Sequence, residues 1–321
     1  MSSGLTRRLF LRAGAALLSA LPFLDLSALA RTSIDSPAGH RASRLILLGT
    51  AGGPTPKPNR AAPAQVIVAG GASYVIDCGN GVARQMVLAK LDLRSIRSVF
   101  LTHLHSDHAA DYGNLLLLSW ASDLTSRVDT YGPPPLSEMT RQFLALNDVD
   151  IRTRIVDEGL PPLEPLISPH EIRGAGVVLE DENVRVTAAV VDHPLMTHAY
   201  SYRFDCPDRS IVVSGDTRPS SALVELARDA DVLVHEVMHV PSIESLIARA
   251  PHAKRLREHL LASHTTTEQV GRLATEAGVG TLVLSHFVPG GYPFLTDEVW
   301  YDAVRPHFAG NLIVGRDLLE V

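Results

Sequence analysis

Thr102–His103–Leu104–His105–Ser106–Asp107–His108 places three histidines and a carboxylate directly behind the apolar run Ser98–Val99–Phe100–Leu101. That order reads as a buried strand ending in a loop that delivers ligands. Imidazole nitrogens and carboxylate oxygens are the donors that Zn²⁺ favours, and more than four of them converging points to two ions. A catalytic zinc site needs further donors from elsewhere in the chain.

Four candidates stand at strand ends. His193 follows the apolar run 184–191, and Asp216 follows Ile211–Val212–Val213 in the turn Ser214–Gly215–Asp216–Thr217. His286 follows the run 281–284, and Asp77 closes Tyr74–Val75–Ile76. An apolar strand that stops at a lone His or Asp directs that side chain out of the sheet edge, where sites form.

At 321 residues, 45% hydrophobic and 20% charged, the chain has the composition of an ordinary soluble globular protein with ample core. Its first thirty residues read as a signal. Thr6–Arg7–Arg8–Leu9–Phe10–Leu11–Arg12 is a twin-arginine pattern, residues 13–24 are an apolar run, and Ala28–Leu29–Ala30 is a small-x-small cleavage site. The run is too short for a stable membrane anchor and is broken by Pro22 and Asp25. The expectation is export through the twin-arginine translocation machinery, already folded and metal-loaded, to the periplasm or beyond. Residues 31–43 then read as a polar linker and 44–321 as a single domain.

The chain carries 29 basic and 35 acidic residues; without residues 1–30 these become 26 and 34, a net charge of −8. Polyanion affinity is built from clustered Lys and Arg, so no nucleic-acid partner is expected. Cys78 and Cys206 sit in unrelated local contexts, and two free thiols are expected.

Residues 65–69 and 73–77 read as a hairpin about Gly70–Gly71. Residues 82–91, 110–124 and 136–147 read as helices, and 127–131 as a strand. Residues 150–175, with Pro161, Pro162, Pro165 and Pro169, read as an irregular surface excursion. Strands at 177–180, 184–191, 199–204 and 210–214 follow at antiparallel spacing. From residue 219 helices and strands alternate. Two mixed β-halves with interposed helices predict an α/β fold of two packed sheets flanked by helices.

The set His103-x-His105-x-Asp107–His108, His193, Asp216 and His286 resembles the metallo-β-lactamase superfamily. Leu48–Gly49–Thr50–Ala51–Gly52–Gly53–Pro54 and Val75–Ile76–Asp77–Cys78–Gly79–Asn80–Gly81 resemble its RNase Z-like branch, which includes arylsulfatase-like and cyclic-nucleotide phosphodiesterase-like members. The resemblance covers residues 44–321 and implies a four-layered αββα sandwich. It implies one metal held by His103, His105 and His193, a second held by Asp107, His108 and His286, and Asp216 bridging the two. Two Zn²⁺ are expected, with manganese or iron as other occupants. Asp77 matches a motif that orients the histidine loop. Glu236, in His235–Glu236, and His264, in Ser263–His264–Thr265–Thr266, resemble motifs assigned to leaving-group protonation.

His235–Glu236–Val237–Met238–His239 also matches the zincin H-E-x-x-H pattern, which needs both histidines on one helical face. It directly follows a strand and Pro241 comes just behind it, so that reading is rejected.

The expected reaction is ester hydrolysis by a metal-bridging hydroxide, with Asp107, His264 and Glu236 as catalytic residues. tRNA 3′ processing, the work of RNase Z itself, fits badly with an exported acidic chain. Residues 150–175 set Arg152, Arg154 and Arg173 against Asp150, Asp157, Glu158, Glu164 and Glu171, which is no basic clamp. A small sulfate or phosphate ester is the expected substrate, in the manner of the arylsulfatase-like members. A lactone or β-lactam and an RNase Z-type phosphodiester are the alternatives. A non-catalytic periplasmic zinc-binding protein is the reading from another class. A homodimer is compatible with the sequence.

Overall fold

The computed structural model describes residues 42–321; the signal and nearly all of the linker read from the sequence lie outside the described residues. Two sheets form the body. The first runs in chain order through β1 (Arg44–Gly49), β2 (Ala64–Ala69), β3 (Ala72–Ile76), β4 (Ile96–Phe100), β5 (Val128–Gly132) and β6 (Ile167–Glu171). The second runs from β7 (Gly176–Glu180), β8 (Arg185–Val190), β9 (Tyr200–Asp205) and β10 (Ser210–Val213) to β11 (Val232–Met238), β12 (Thr281–Val288) and β13 (Asn311–Val314). Each sheet starts antiparallel and turns parallel, the first after β3 and the second after β10.

The sheets pack face to face and helices cover their outer faces. Leu45 and Leu47 of β1 enter the core between the sheets, whereas Ile46 and Leu48 face the cluster that includes Val82, Met86, Leu115 and Leu116. Burial on both faces is why this strand reads as an unbroken apolar run and not as an alternation. Between the sheets Phe100 stacks on Tyr131 with ring centroids 5.0 Å apart and meets Phe204 edge-on at 5.1 Å.

The first sheet's helices are α1 (Val82–Leu88), α2 (Ser106–Ala109), α3 (Tyr112–Ala121), α4 (Leu136–Leu146) and α5 (Asp148–Asp157). Those following β10 are α6 (Ser221–Leu226), α7 (Ile243–Ile247), α8 (Leu256–Ser263), α9 (Thr267–Ala277) and α10 (Asp297–Val304). Thr266 and Gln269 close a capping box at the start of α9, and Gly278 ends it at φ 69°. The two cysteines are free, Cys78 buried and Cys206 half-buried.

The irregular excursion read over residues 150–175 is corrected: it contains most of α5 and all of β6. α5 packs Ile151 and Ile155 against the cluster around Trp120, and Arg152–Asp148 and Arg154–Glu158 pairs one turn apart support its charged face, at 2.6 and 2.8 Å. Pro169 sits in β6 because β6 is an edge strand, where a missing N–H breaks no ladder. His235 lies within the buried strand β11, which removes the zincin geometry.

Candidate metal centre

Strand ends deliver the site. The histidine loop follows β4, Asp77 follows β3, His193 follows β8, Asp216 follows β10, and His286 lies near the end of β12. His286 is the extra residue of a bulge: Ser285 pairs with Glu236 and Phe287 with Val237, and His286 has φ 44°. A bulge re-aims a side chain, and backbone strain of this kind clusters at functional sites. Asp77 is likewise left-handed, at φ 61°. Close packing fixes the Asp216 turn, because a Cβ on Gly215 would fall 2.8 Å from the Thr102 Cβ.

The donors form two groups. His105 Nδ1 lies 3.0 Å from His103 Nε2 and 3.1 Å from His193 Nε2. Asp107, His108 and His286 form the second group, with His286 Nε2 3.4 Å and His108 Nε2 3.6 Å from Asp107 Oδ2. Asp216 faces both. Its Oδ1 is 3.2 Å from His108 Nε2 and 3.2 Å from His286 Nε2, while its Oδ2 is 4.0 Å from His103 Nε2.

These atoms fit metal ions better than they fit one another. His108 Nε2 and Asp216 Oδ1 are buried and have no hydrogen-bond partner among the described residues, despite their proximity. Buried polar groups without partners are costly unless they coordinate something. A neutral imidazole has one N–H, so the three clustered nitrogens of His103, His105 and His193 cannot all be satisfied by each other. Protonation favours coordination at the first group, whereas at His108 burial works to lower the ring but the Asp216 and Asp77 carboxylates outweigh it and raise it well above the ordinary histidine value, so that a metal there displaces a proton. Burial lowers His103 and His193, and burial with the neighbouring His193 brings His105 down to about 4. Burial works to raise Asp107, but the charge of His108 and the contact with His286 outweigh it and hold the carboxyl low. At Asp216 burial is outweighed by His286 and His108.

A surrounding layer orients the donors. His108 Nδ1–H donates to Asp77 Oδ2 at 2.7 Å, and Asp77 also accepts from the Thr102 N–H at 2.8 Å. His193 Nδ1–H donates to the Ser263 carbonyl at 3.1 Å, and the Gly53 N–H donates to Asp107 Oδ2 at 2.9 Å. Such contacts fix tautomer and ring direction. Glu236 Oε1 accepts from the Thr217 N–H at 3.2 Å, the Thr265 N–H at 3.1 Å and His264 Nδ1–H at 3.2 Å. Burial works to lower His264, but the Glu236 carboxylate overrides it and lifts the ring to about 9. His264 Nδ1 is 4.0 Å from Asp216 Oδ2.

His105, Asp107, Asp216 and His286 line a cleft of about 390 Å³ that Leu246, Leu256 and Leu260 also line. Two residues of this cleft do not emerge from the sequence alone. His259, on α8, has its ring 6.1 Å from His105 and 6.0 Å from His264. Lys57, in the loop after β1, donates to the Gly53 carbonyl at 3.2 Å. The available signals are a histidine one helical turn before Ser263 and a lysine within the Gly/Pro-rich loop.

Residues 73–287 match the beta-lactamase superfamily domain. The chain is 33% identical over 280 residues to Ribonuclease Z of Mycobacterium bovis (strain BCG / Pasteur 1173P2), covering 86% of this chain and 97% of that protein. It is 35% identical over 277 residues to Ribonuclease Z of Mycobacterium sp. (strain KMS), covering 86% and 94%. In fold it is similar to the metallo-beta-lactamase fold protein YhfI from Bacillus subtilis, at TM-score 0.64 and 20% identity over 87% of this chain and 98% of that one. It is also similar in fold to human tRNase Z, short form, at TM-score 0.61 and 20% identity, covering 87% and 98%.

These relatives correct two expectations. They are named as ribonucleases and not as sulfatases, which overturns the small sulfate or phosphate ester as substrate. They also overturn the small-molecule partner and the exclusion of nucleic acid. The charge argument fails because net charge is a whole-chain sum, whereas nucleic-acid contact depends on local clusters. The carboxylates of the centre itself add to the negative total, and metal ions would offset them there.

Proposed function

The chain belongs to the beta-lactamase superfamily and, within it, to the ribonuclease Z family, and from that premise we propose that it is a zinc-dependent ribonuclease that hydrolyses an RNA phosphodiester bond. The observation that carries this reading is Asp216, whose two carboxylate oxygens face two separate groups of donors.

His103, His105 and His193 would hold one zinc ion, Asp107, His108 and His286 the other, and Asp216 both. When bound, the pair supplies Lewis acidity toward a phosphoryl oxygen and a water activated at neutral pH. Asp77 keeps His108 in the tautomer whose Nε2 is free to coordinate. The Ser263 carbonyl does the same for His193. His264 keeps its Nδ1–H on Glu236 and lines the cleft beside Asp216, so that the Nε2–H of the charged ring is the one to donate to the departing ribose oxygen. Glu236, anchored by two backbone N–H groups, keeps that ring charged and aimed.

The test is cleavage of a structured RNA with a 3′ trailer by protein stripped with chelator and reloaded with zinc. Zinc-restored endonucleolytic products are expected; intact RNA beside fully loaded protein would overturn the reading. The Thr6–Arg12 pattern and the apolar run behind it support a second proposal, twin-arginine export. Replacing Arg7 and Arg8 by lysine should then retain the protein in the cytoplasm, and unchanged fractionation would refute export.

A further inference from the structure

The segment between β11 and α9 forms a wall of the metal cleft, lining it with Leu246, Ala250, Ala253, Leu256, His259 and Leu260. Of these six side chains only His259 can form a hydrogen bond. It lies on α8 and also lines a second cleft, of about 760 Å³, against the same segment.

The His259 ring stands edge-on to three others. Its centroid is 6.1 Å from His105, 6.1 Å from His193 and 6.0 Å from His264, at interplanar angles of 81°, 72° and 83°. His105 and His193 belong to the first group of donors, whose ligand atoms lie within 4.8 Å of one another, and His259 is not of that group. It lines the same cleft as His105 and His264 without joining the donors.

Ser263 decides which nitrogen of His259 carries the hydrogen. The Ser263 carbonyl accepts from His193 Nδ1–H at 3.1 Å, and its hydroxyl lies 3.3 Å from His259 Nδ1. That hydroxyl has no other acceptor among the described residues, so it donates to Nδ1 and the hydrogen of the neutral ring sits on Nε2. Nε2 itself has no hydrogen-bond partner among the described residues. One serine thus orients both a ring of the first donor group and the ring that stands beside it.

We propose that His259 is a further catalytic residue, donating its Nε2–H to a non-bridging oxygen of the scissile phosphoryl group on the side of His105 and His193, apart from the leaving oxygen that His264 serves. The proposal rests on the ribonuclease reading of the metal centre and adds a donor from the wall. In phosphoryl transfer the charge spreads over the equatorial oxygens, and a positioned N–H on one of them counts most in the transition state. The apolar side chains around His259 strengthen that bond by lowering the local dielectric. No proton leaves the ring: water's oxygen replaces the ribose oxygen on phosphorus, and His264 protonates the oxygen that departs.

The experiment compares zinc-loaded full chain with His259→Ala and with His259→Gln, whose amide can present an N–H near the Nε2 position. Elemental analysis should find two zinc ions per chain in all three. In His259→Ala kcat on a 3′-trailer RNA should fall about 10²-fold with KM within about threefold. Inorganic phosphate, followed by calorimetry, should bind that variant about 10-fold more weakly than wild type. His259→Gln should recover about 10-fold of the lost rate. Loss of zinc from His259→Ala would make the residue a ligand and overturn the proposal. Wild-type phosphate affinity in that variant overturns it too, as do equal rate losses in both variants with a lowered melting temperature, which would mark a packing role; each leaves the ribonuclease reading standing. Intact RNA beside loaded wild type overturns the ribonuclease reading, while weakened phosphate binding in His259→Ala would still uphold His259 as the phosphoryl donor.

Discussion

His108 and His259 mark the two ways this molecule holds a functional side chain. The His108 ring is buried, tied to Asp77 through one nitrogen and aimed at Asp216 with the other. The His259 ring is half-buried on α8, tied to Ser263 through one nitrogen and without a partner among the described residues at the other. The first belongs to a centre whose donors are fixed by strand ends, a bulge and backbone hydrogen bonds. The second belongs to a wall held by a small apolar cluster that includes Met238, Ile243, Leu260 and Val288. The difference separates what the fold must keep from what it can vary. Two sheets over-determine the donors, while a helical connection can vary its surface without disturbing them.

The largest expected effect is at the centre. Asp216→Ala should lose bound metal and reduce RNA cleavage by more than about 10³-fold, measured by elemental analysis beside kinetics; retention of two metals per chain would break the bridging assignment. His264→Ala comes next. It should keep its metal and lose about 10²–10³-fold in kcat, and an equal loss of metal would make it a ligand instead. Asp77→Asn should weaken metal binding about 10–100-fold through the orientation of His108, read by competition with a chromogenic chelator; unchanged affinity would show that His108 needs no orienter. The smallest effect lies at Leu195, exposed and at φ 73° on the loop behind His193. Leu195→Gly should raise stability by about 0.5–1 kcal/mol by relieving the left-handed leucine, checked by urea unfolding; a loss of stability would mean that this leucine supports the fold.

The centre is legible in sequence because its donors are contiguous or directly follow apolar strands. The His103–His108 loop needs only β4 before it, and His193 and Asp216 close strands of their own. His286 is legible as a residue but not as a bulge. β12 continues to Val288, and the extra residue shows only in its register against β11. α5 and β6 escape because the apolar face of α5 is only Ile151 and Ile155 amid charged residues, and β6 is a proline-bearing edge strand, so neither shows the extended periodicity that sequence reading relies on. His259 escapes for a different reason. Its helix is legible, but only tertiary packing turns that helix's histidine toward His105 and His264.

The most direct test is a zinc titration of metal-free protein in which bound metal and cleavage of a 3′-trailer RNA are followed together. Two equivalents should bind, with cleavage appearing as the second is taken up and Asp216→Ala showing neither. Full cleavage at one equivalent, or two bound equivalents with the RNA left intact, would contradict a two-metal ribonuclease.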